Sequence, residues 1–404
     1  MTGSGLHPVL VVGAGPVGLA AALALRAREL PVTVLEADPE DRVRPGSRAL
    51  FVHRESLAAL ERISPGLGAG IAGYGVVWRT RRTFHRGREV FAQTFGPARP
   101  GRLPPFASLR QVDTERFLMD ACAEAGVTFH WGARVSEVTA GGDAVTVTAA
   151  DGRAWPARYV IAADGARSAV RAAAGIELHG DRSEGHHVVV DVAGRADDEM
   201  PVERVFHYEH PAMDGRTVLR VPFAGGFQID LQCRDDDPAE AYGAEQAVRR
   251  WLPEVVGPGW ADRVLWVSTY RFLQVVADAF RDSSGRVLLA GEAAHLFPPF
   301  GARGLNSGIA DAESAAAAVA TALAEPERAA AAVDAFADRR RAAALFNSRA
   351  AGTALAHLRP GRLMRARQHA AAALAPLVPR CGSWLEHAPY GPRHGSPAEA
   401  TRRY

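Results

Sequence analysis

The sequence predicts an α/β fold in which a parallel-sheet dinucleotide domain is interleaved with an α+β domain built on a mainly antiparallel sheet, followed by C-terminal helices. Three observations carry this. An apolar strand, a glycine turn, an apolar helix and a second apolar strand occupy residues 9–36, the opening of a βαβ unit. Apolar strands of the same type return far downstream, at Arg158–Ala162 and Arg286–Ala290. Between them lies a block of alternating segments that does not fit a parallel sheet. At 404 residues and 48% hydrophobic composition, the chain can bury the cores of two domains.

Val9–Val12 reads as a buried strand, Pro16–Leu30 as a helix and Val32–Leu35 as the second strand. Glu55–Ile63 is helix-like, and Tyr74–Phe95 alternates as exposed antiparallel strands. Asp113–Gly126 has an Asp N-cap and a Gly stop, the marks of a helix. Val135–Val147 forms a hairpin around Gly141-Gly142. From Glu184 to Phe272 the pattern is strands: His187–Val192, Glu203–Glu209, Thr217–Pro222, Phe227–Gln232 and Val264–Phe272. The last Rossmann-type strand, Arg286–Ala290, leads through a Gly/Pro-rich loop to a long helix at Leu305–Leu323, and Ala329–Leu377 is helical, with a basic, Pro/Gly-punctuated tail beyond it that is expected to be mobile. The expected division is 1–72, 101–175 and 280–325 for the dinucleotide domain, 73–100 and 176–279 for the second domain, and 326–404 for the C-terminal segment.

Gly13-Ala14-Gly15-Pro16-Val17-Gly18 falls between the first strand and its helix. In that context the first glycine makes a tight turn, the second admits a pyrophosphate and the third lets the helix pack closely, with the phosphates at the helix N-terminus. Glu36 ends the second strand, where an acid hydrogen-bonds a ribose hydroxyl and repels a 2′-phosphate. FAD or NAD fits this site. A second match to the same pattern, Gly68-Ala69-Gly70-Ile71-Ala72-Gly73, follows a helix and not a strand; it is expected to be a flexible turn.

Composition narrows the function. The net charge is +2, and all 47 basic residues are arginine. No whole-chain field gathers nucleic acid or an anionic membrane, and lysine-dependent chemistry is excluded. Cys122, Cys233 and Cys381 lack metal-ligand or disulfide spacing, so no metal site is expected. The N-terminus has no signal-peptide pattern and the Ala-rich runs are too short or interrupted to span a bilayer, which points to a soluble cytoplasmic protein with small-molecule partners.

Two further segments, Asp164-Gly165-Ala166-Arg167-Ser168-Ala169-Val170-Arg171 and Gly291-Glu292-Ala293-Ala294-His295 running on to Pro298-Pro299-Phe300-Gly301-Ala302-Arg303-Gly304-Leu305-Asn306, complete a set of three ordered motifs. Together they resemble the para-hydroxybenzoate hydroxylase family of FAD-dependent aromatic hydroxylases, from Val9 to about Asp311. The resemblance implies FAD as resident cofactor, with NADPH or NADH as a transient reductant. It implies oxygen transfer from a flavin C4a-hydroperoxide to an electron-rich aromatic or polycyclic substrate, in a monomer or homodimer. Gly13, Gly15, Pro16, Gly18 and Glu36 would hold the ADP half; Arg48 and Gln111 would reach the phosphate and ribityl region. Arg48 also reads as a surface arginine, and Gln111 as part of a helix entry. Asp164 and Gly165 would lie near the pyrophosphate. Gly291, Glu292, Pro299, Gly301, Gly304, Leu305 and Asn306 would hold the ribityl chain and flavin ring, with the helix starting near Leu305 stabilising negative charge on the reduced ring.

One departure is Glu292, where the family has Asp: the extra methylene displaces the carboxylate by about 1.5 Å. His295 reads as structural. Facing in the second sheet is unreadable from sequence, so His207, Arg220, Gln228 and Tyr270 stand as substrate-pocket candidates, each with a structural alternative. Two rival functions remain at this stage: an FAD-dependent oxidase or dehydrogenase on the same fold, and a non-catalytic flavin-binding protein.

Overall fold

The computed structural model describes residues 5–42, 49–97, 101–182, 186–195 and 197–392. The chain opens with β1 (His7–Val12), α1 (Pro16–Arg26) and β2 (Thr33–Leu35). Next come β3 (Phe51–His53), α2 (Arg54–Ile63) and α3 (Leu67–Tyr74), then the hairpin of β4 (Thr80–His85) and β5 (Arg88–Thr94). β6 (Phe106–Ser108), α4 (Gln111–Glu124) and β7 (Thr128–His130) follow, then the meander β8 (Val135–Gly141), β9 (Ala144–Ala149) and β10 (Ala154–Ala162), and α5 (Ala169–Ala173).

The middle of the chain supplies β11 (Leu178–Arg182), β12 (His187–Ala193), β13 (Glu203–His210), β14 (Arg216–Phe223) and β15 (Gly226–Gln232). It continues with α6 (Ala239–Gly243), α7 (Glu245–Val256), β16 (Val264–Tyr270) and β17 (Leu273–Ala277). β18 (Val287–Leu289) and β19 (His295–Leu296) precede α8 (Arg303–Ala324), α9 (Ala329–Leu358), α10 (Arg362–Leu374) and α11 (Pro379–His387). Among the described residues no helix is long and apolar enough to cross a membrane.

The first sheet runs β7-β2-β1-β10-β18, all parallel, with β9 and β8 added antiparallel along the first half of β10. Val9, Leu10, Val11, Val34, Val160, Ile161 and Leu288 are buried almost completely, because helices cover both faces and leave no polar side for the strands to alternate toward. The second sheet runs β16-β12-β15-β14-β13-β4-β5. Its pairings are antiparallel except β13 with β4, which run parallel, so the hairpin from residues 80–94 joins strands more than 100 residues away. One face of this sheet is sealed by α7: Val248, Trp251 and Leu252 pack on Val188, Val190, Val218, Ile229 and Leu231.

Three expectations are corrected. The stretch from Glu184 to Phe272 holds more than strands: Ala247, Val248, Trp251 and Leu252 repeat at helical spacing and form the buried stripe of α7. Its last strand also divides at Arg271, where the chain leaves the large sheet for a small one ordered β11-β17-β19. Gly68–Gly73 lies within helix α3, not in a flexible turn. A Cβ at Gly68 would fall 2.1 Å from the Leu57 carbonyl oxygen, so glycine there permits close packing of α3 on α2. The α3 N-terminus is occupied by Glu61, which accepts from the N–H groups of Gly66 and Ala69 at 2.8 and 2.9 Å, and no phosphate is needed to satisfy it. Finally, the C-terminal segment is docked as far as Pro392: Leu385 and Glu386 are buried, and α11 packs against β4 and β5.

Candidate functional site

The register of the parallel sheet brings the three motifs together. Val12 is paired with Leu35 on one side and Ala162 on the other, and Ala162 with Leu289. Four strands therefore end in one row, and one or two residues beyond their ends stand Gly13, Glu36, Asp164 and Gly291. Ligands of open parallel sheets bind outside such carboxyl ends. A cavity of about 1610 Å³ starts there and extends to the second sheet. Small-molecule sites typically occupy about 300–1,000 Å³, so this one has room for a dinucleotide and a further molecule.

Gly13, Gly15, Pro16 and Glu36 line the cavity, and Gly18 lies beneath them. Gly13 has φ +99°, and a Cβ there would sit 2.5 Å from the Ala163 carbonyl oxygen; at Gly18 it would sit 1.9 Å from the Gly13 oxygen. No side chain larger than hydrogen fits either place. Helix α1 starts on Gly15 without a side-chain cap, which leaves its first amides for an anion. Glu36 accepts from the Ala14 N–H at 2.5 Å and the Asp38 N–H at 3.0 Å. Burial raises its pKa, but these N–H groups and Arg42 at 2.9 Å outweigh that and hold the carboxyl below its ordinary value. Arg42 also donates to the Ala14 carbonyl at 2.6 Å, although it lies outside the three sequence motifs. Arg48 lies outside the described residues.

Asp164 and Gly165 also line the cavity. The Asp164 carboxylate accepts from Ser168 Oγ at 2.5 Å and the Val170 N–H at 3.1 Å, so it closes the start of α5, and burial raises its pKa in spite of those donors. Arg171 donates to the Ala293 carbonyl at 3.0 Å, tying the second motif to the third. Gln111 opens α4, lines the cavity and donates to Glu115 at 2.9 Å; the helix cap there is Arg110, and Asp113 lies inside the first turn.

In the third motif Glu292 is exposed on the cavity wall, while Gly291 lies behind it. The Gly291 N–H donates to Asp311 Oδ2 at 3.0 Å, and the same oxygen meets His295 Nε2 at 2.7 Å. Arg340 Nε donates to the other oxygen at 2.6 Å. His295 is thus a structural residue held by Asp311, and Asp311 and Arg340 lie outside the three sequence motifs. Pro299, Gly301, Gly304, Leu305 and Asn306 line the cavity where α8 begins, again without a side-chain cap. Asn306 is used up structurally. Its oxygen accepts from the His53 N–H and Ser56 Oγ, and its nitrogen donates to the carbonyls of Phe51 and Ala302. The α8 entry is thereby bolted to β3 and α2.

On the second sheet the candidates divide. Gln228 and Tyr270 line the cavity; His207 and Arg220 do not. Leu219 pairs with Phe206 and Asp230, and Val221 with Gln228, which makes Phe206, Leu219, Val221, Gln228 and Asp230 one face. His207 and Arg220 are one residue out of step and point to the other side. There His207 stacks on Phe84 at 4.7 Å, and burial lowers its pKa to about 4. The cavity wall itself is mixed. Leu50, Trp78, Phe106, Val221 and Phe51 form an aromatic, apolar side, while β12 and β15 present His187, Gln228, Asp230 and Gln232. The far end is closed by the C-terminal segment, where Arg204 Nη1 donates to fully buried Glu386 at 2.6 Å and Tyr390 lines the cavity.

A family profile described as FAD binding domain matches residues 7–349. The 6-methylpretetramide 4-monooxygenase of Streptomyces rimosus is 33% identical over 323 residues, covering 75% of this chain and 54% of that protein. The chain thus spans about half the length of that relative. The para-nitrophenol 4-monooxygenase of Pseudomonas sp. (strain WBC-3) is 32% identical over 327 residues, 78% of each chain. Among solved structures, p-nitrophenol 4-monooxygenase PnpA from Pseudomonas putida DLL-E4 superposes with a TM-score of 0.76 at 27% identity, covering 96% of this chain and 99% of that one.

Proposed function

The chain belongs to the FAD-binding-domain family of flavoprotein hydroxylases, and from that premise we propose that it is an FAD-dependent monooxygenase. It uses NADPH or NADH and dioxygen to hydroxylate an electron-rich aromatic or polycyclic small molecule. The single observation that supports this most is the continuity of one cavity from the glycine turn at Gly13 to the aromatic wall at Trp78 and Phe106.

The residues present fit the cofactor. Gly13, Gly15 and the uncapped start of α1 would take the pyrophosphate, and Glu36 the adenosine ribose. Gln111 and Glu292 would take the ribityl chain, and the uncapped start of α8 the flavin ring. FAD, once reduced by the nicotinamide, supplies the activation of dioxygen. The chain's own task is placement and shielding. The apolar wall favours a flat ring over water, and the closed C-terminal end limits solvent entry, which keeps activated oxygen for the substrate. Amide N–H groups at the start of α8 favour negative charge beside them.

The test is oxidation of NADPH and NADH by the FAD-loaded protein across a panel of aromatic compounds under ¹⁸O₂. Labelled hydroxylated product supports the reading. Peroxide alone, or a two-electron oxidised product without label, defeats it.

A further inference from the structure

Inside the cavity the second sheet carries an acid–histidine pair that the cofactor residues leave unexplained. His187 on β12 and Asp230 on β15 are diagonal neighbours, since His187 pairs with Gln232 and Asp230 with Val189. His187 Nδ1 lies 2.7 Å from Asp230 Oδ1. The histidine is only 2% exposed, wedged against Phe272 at 4.1 Å and Phe300 at 5.9 Å between ring centroids. A carboxylate at that distance requires the proton on Nδ1, so the ring donates to Asp230 and fixes its orientation. Nε2 is buried without a partner among the described residues. Asp230 is more open, at 16%, and lines the cavity. The neighbouring polar groups are committed: Gln228 donates to buried Asp191, and Gln232 to the Leu358 carbonyl. Among the described residues that line the cavity from this sheet, Asp230 is the carboxylate.

We propose that Asp230, oriented by His187, is the specificity-determining residue of this cavity, the one that accepts the hydrogen bond of a substrate's ring hydroxyl while the apolar edge of the ring lies against Trp78 and Phe106. A hydroxyl bonded to a carboxylate feeds electron density into its ring, which is the reactivity that oxygen transfer to carbon needs. Asp230 touches substrate; His187 is a positioning residue. This rests on the monooxygenase reading above.

The experiment measures dissociation constants from flavin-absorbance changes in the FAD-loaded chain, for 4-nitrophenol against 4-nitroanisole and 1-naphthol against 1-methoxynaphthalene. The wild type is expected to prefer each phenol by about tenfold to a hundredfold, the value of one charge-assisted hydrogen bond. Asp230→Asn keeps the shape and is expected to bring each pair within about twofold, because a donor replaces the charged acceptor. His187→Leu should do the same, whereas His187→Asn, which keeps a donor near the Nδ1 position, should retain most of the preference. A wild type that ignores the hydroxyl, or an Asp230→Asn variant with the wild-type ratio, overturns the proposal. Labelled product from hydroxyl-free aromatics alone would overturn it while leaving the monooxygenase reading intact; no labelled product from any aromatic would remove that reading itself.

Discussion

Asp311 offers the sharpest test of how the third motif is held. It is completely buried, yet its pKa lies below its ordinary 3.8: burial raises it, and His295 and Arg340 more than offset that. One carboxylate thus joins α8 to Arg340 on α9, to His295 on β19 and to the Gly291 amide. Asp311→Ala leaves Arg340 and the Gly291 N–H without this partner. Breaking a buried ion pair from one side costs about 3–5 kcal/mol, and an orphaned buried N–H about 1–3 kcal/mol. Arg340 is 14% exposed and reaches the cavity, so it can rehydrate, and the two costs are not additive. The expected loss is therefore about 3 kcal/mol, a large share of a typical stability of about 5–15 kcal/mol. Urea unfolding followed by tryptophan fluorescence measures it. Because Gly291 positions Glu292, FAD affinity should fall as well, by about tenfold if 1.4 kcal/mol of placement is lost. A variant less than about 1 kcal/mol destabilised, which is what a typical surface site would give, would refute the reasoning.

Three further outcomes follow from the same geometry. Glu292→Ala, at an exposed position on the cavity wall, should weaken FAD binding while leaving the urea midpoint unchanged; an unaltered FAD dissociation constant counts against its ribityl role. His357 is buried beside Tyr208 Oη at 2.8 Å, and its pKa is lowered from 6.5 to about 4 by burial. The unfolded chain then binds the extra proton between those values, so stability is full above pH 6.5 and is lost as pH falls toward 4, by up to about 3 kcal/mol. His357→Gln should flatten that slope in urea titrations at several pH values, and an unchanged slope assigns the loss elsewhere. Glu386→Ala strips Arg204 and Thr83 of a buried partner and should cost about 3–5 kcal/mol; by loosening the closed end it should raise peroxide released per NADPH consumed, and wild-type coupling would disprove the shielding role.

Much of the cofactor end was legible because glycine, proline and apolar runs report backbone geometry directly. Gly13 and Gly18 are glycine because a Cβ has no room, and Glu36 follows a three-residue strand whose end is set by pairing with β1. What stayed hidden were the partners that hold these residues. Arg42, Asp311 and Arg340 look like ordinary helix or loop charges in a chain rich in arginine, and only the fold brings each to its motif. Helix α7 was lost for a related reason: a short amphipathic stretch inside a run of strands carries fewer repeats than its surroundings. Glu386 and Tyr390 sit near the end of the chain, where polar and punctuated sequence reads as tail until the buried Arg204 supplies the counterion.

The substrate wall failed differently, through parity. Strand assignments at 203–210, 216–223 and 226–232 agreed closely with those expected from alternation, but alternation leaves two answers for which face looks inward. Apolar residues occupy both faces here, since Val218 and Ile229 pack under α7 while Leu219 and Val221 meet the cavity. Composition therefore gives no vote, and a candidate chosen for its chemistry, such as His207 or Arg220, has an even chance of facing away. The deciding information is long-range: α7 seals one side of β12, β14 and β15, and whatever lies opposite must face the dinucleotide domain. The Val248, Trp251 and Leu252 stripe of α7 fixes the parity, and with it places Gln228 and Asp230, not Arg220, on the cavity face.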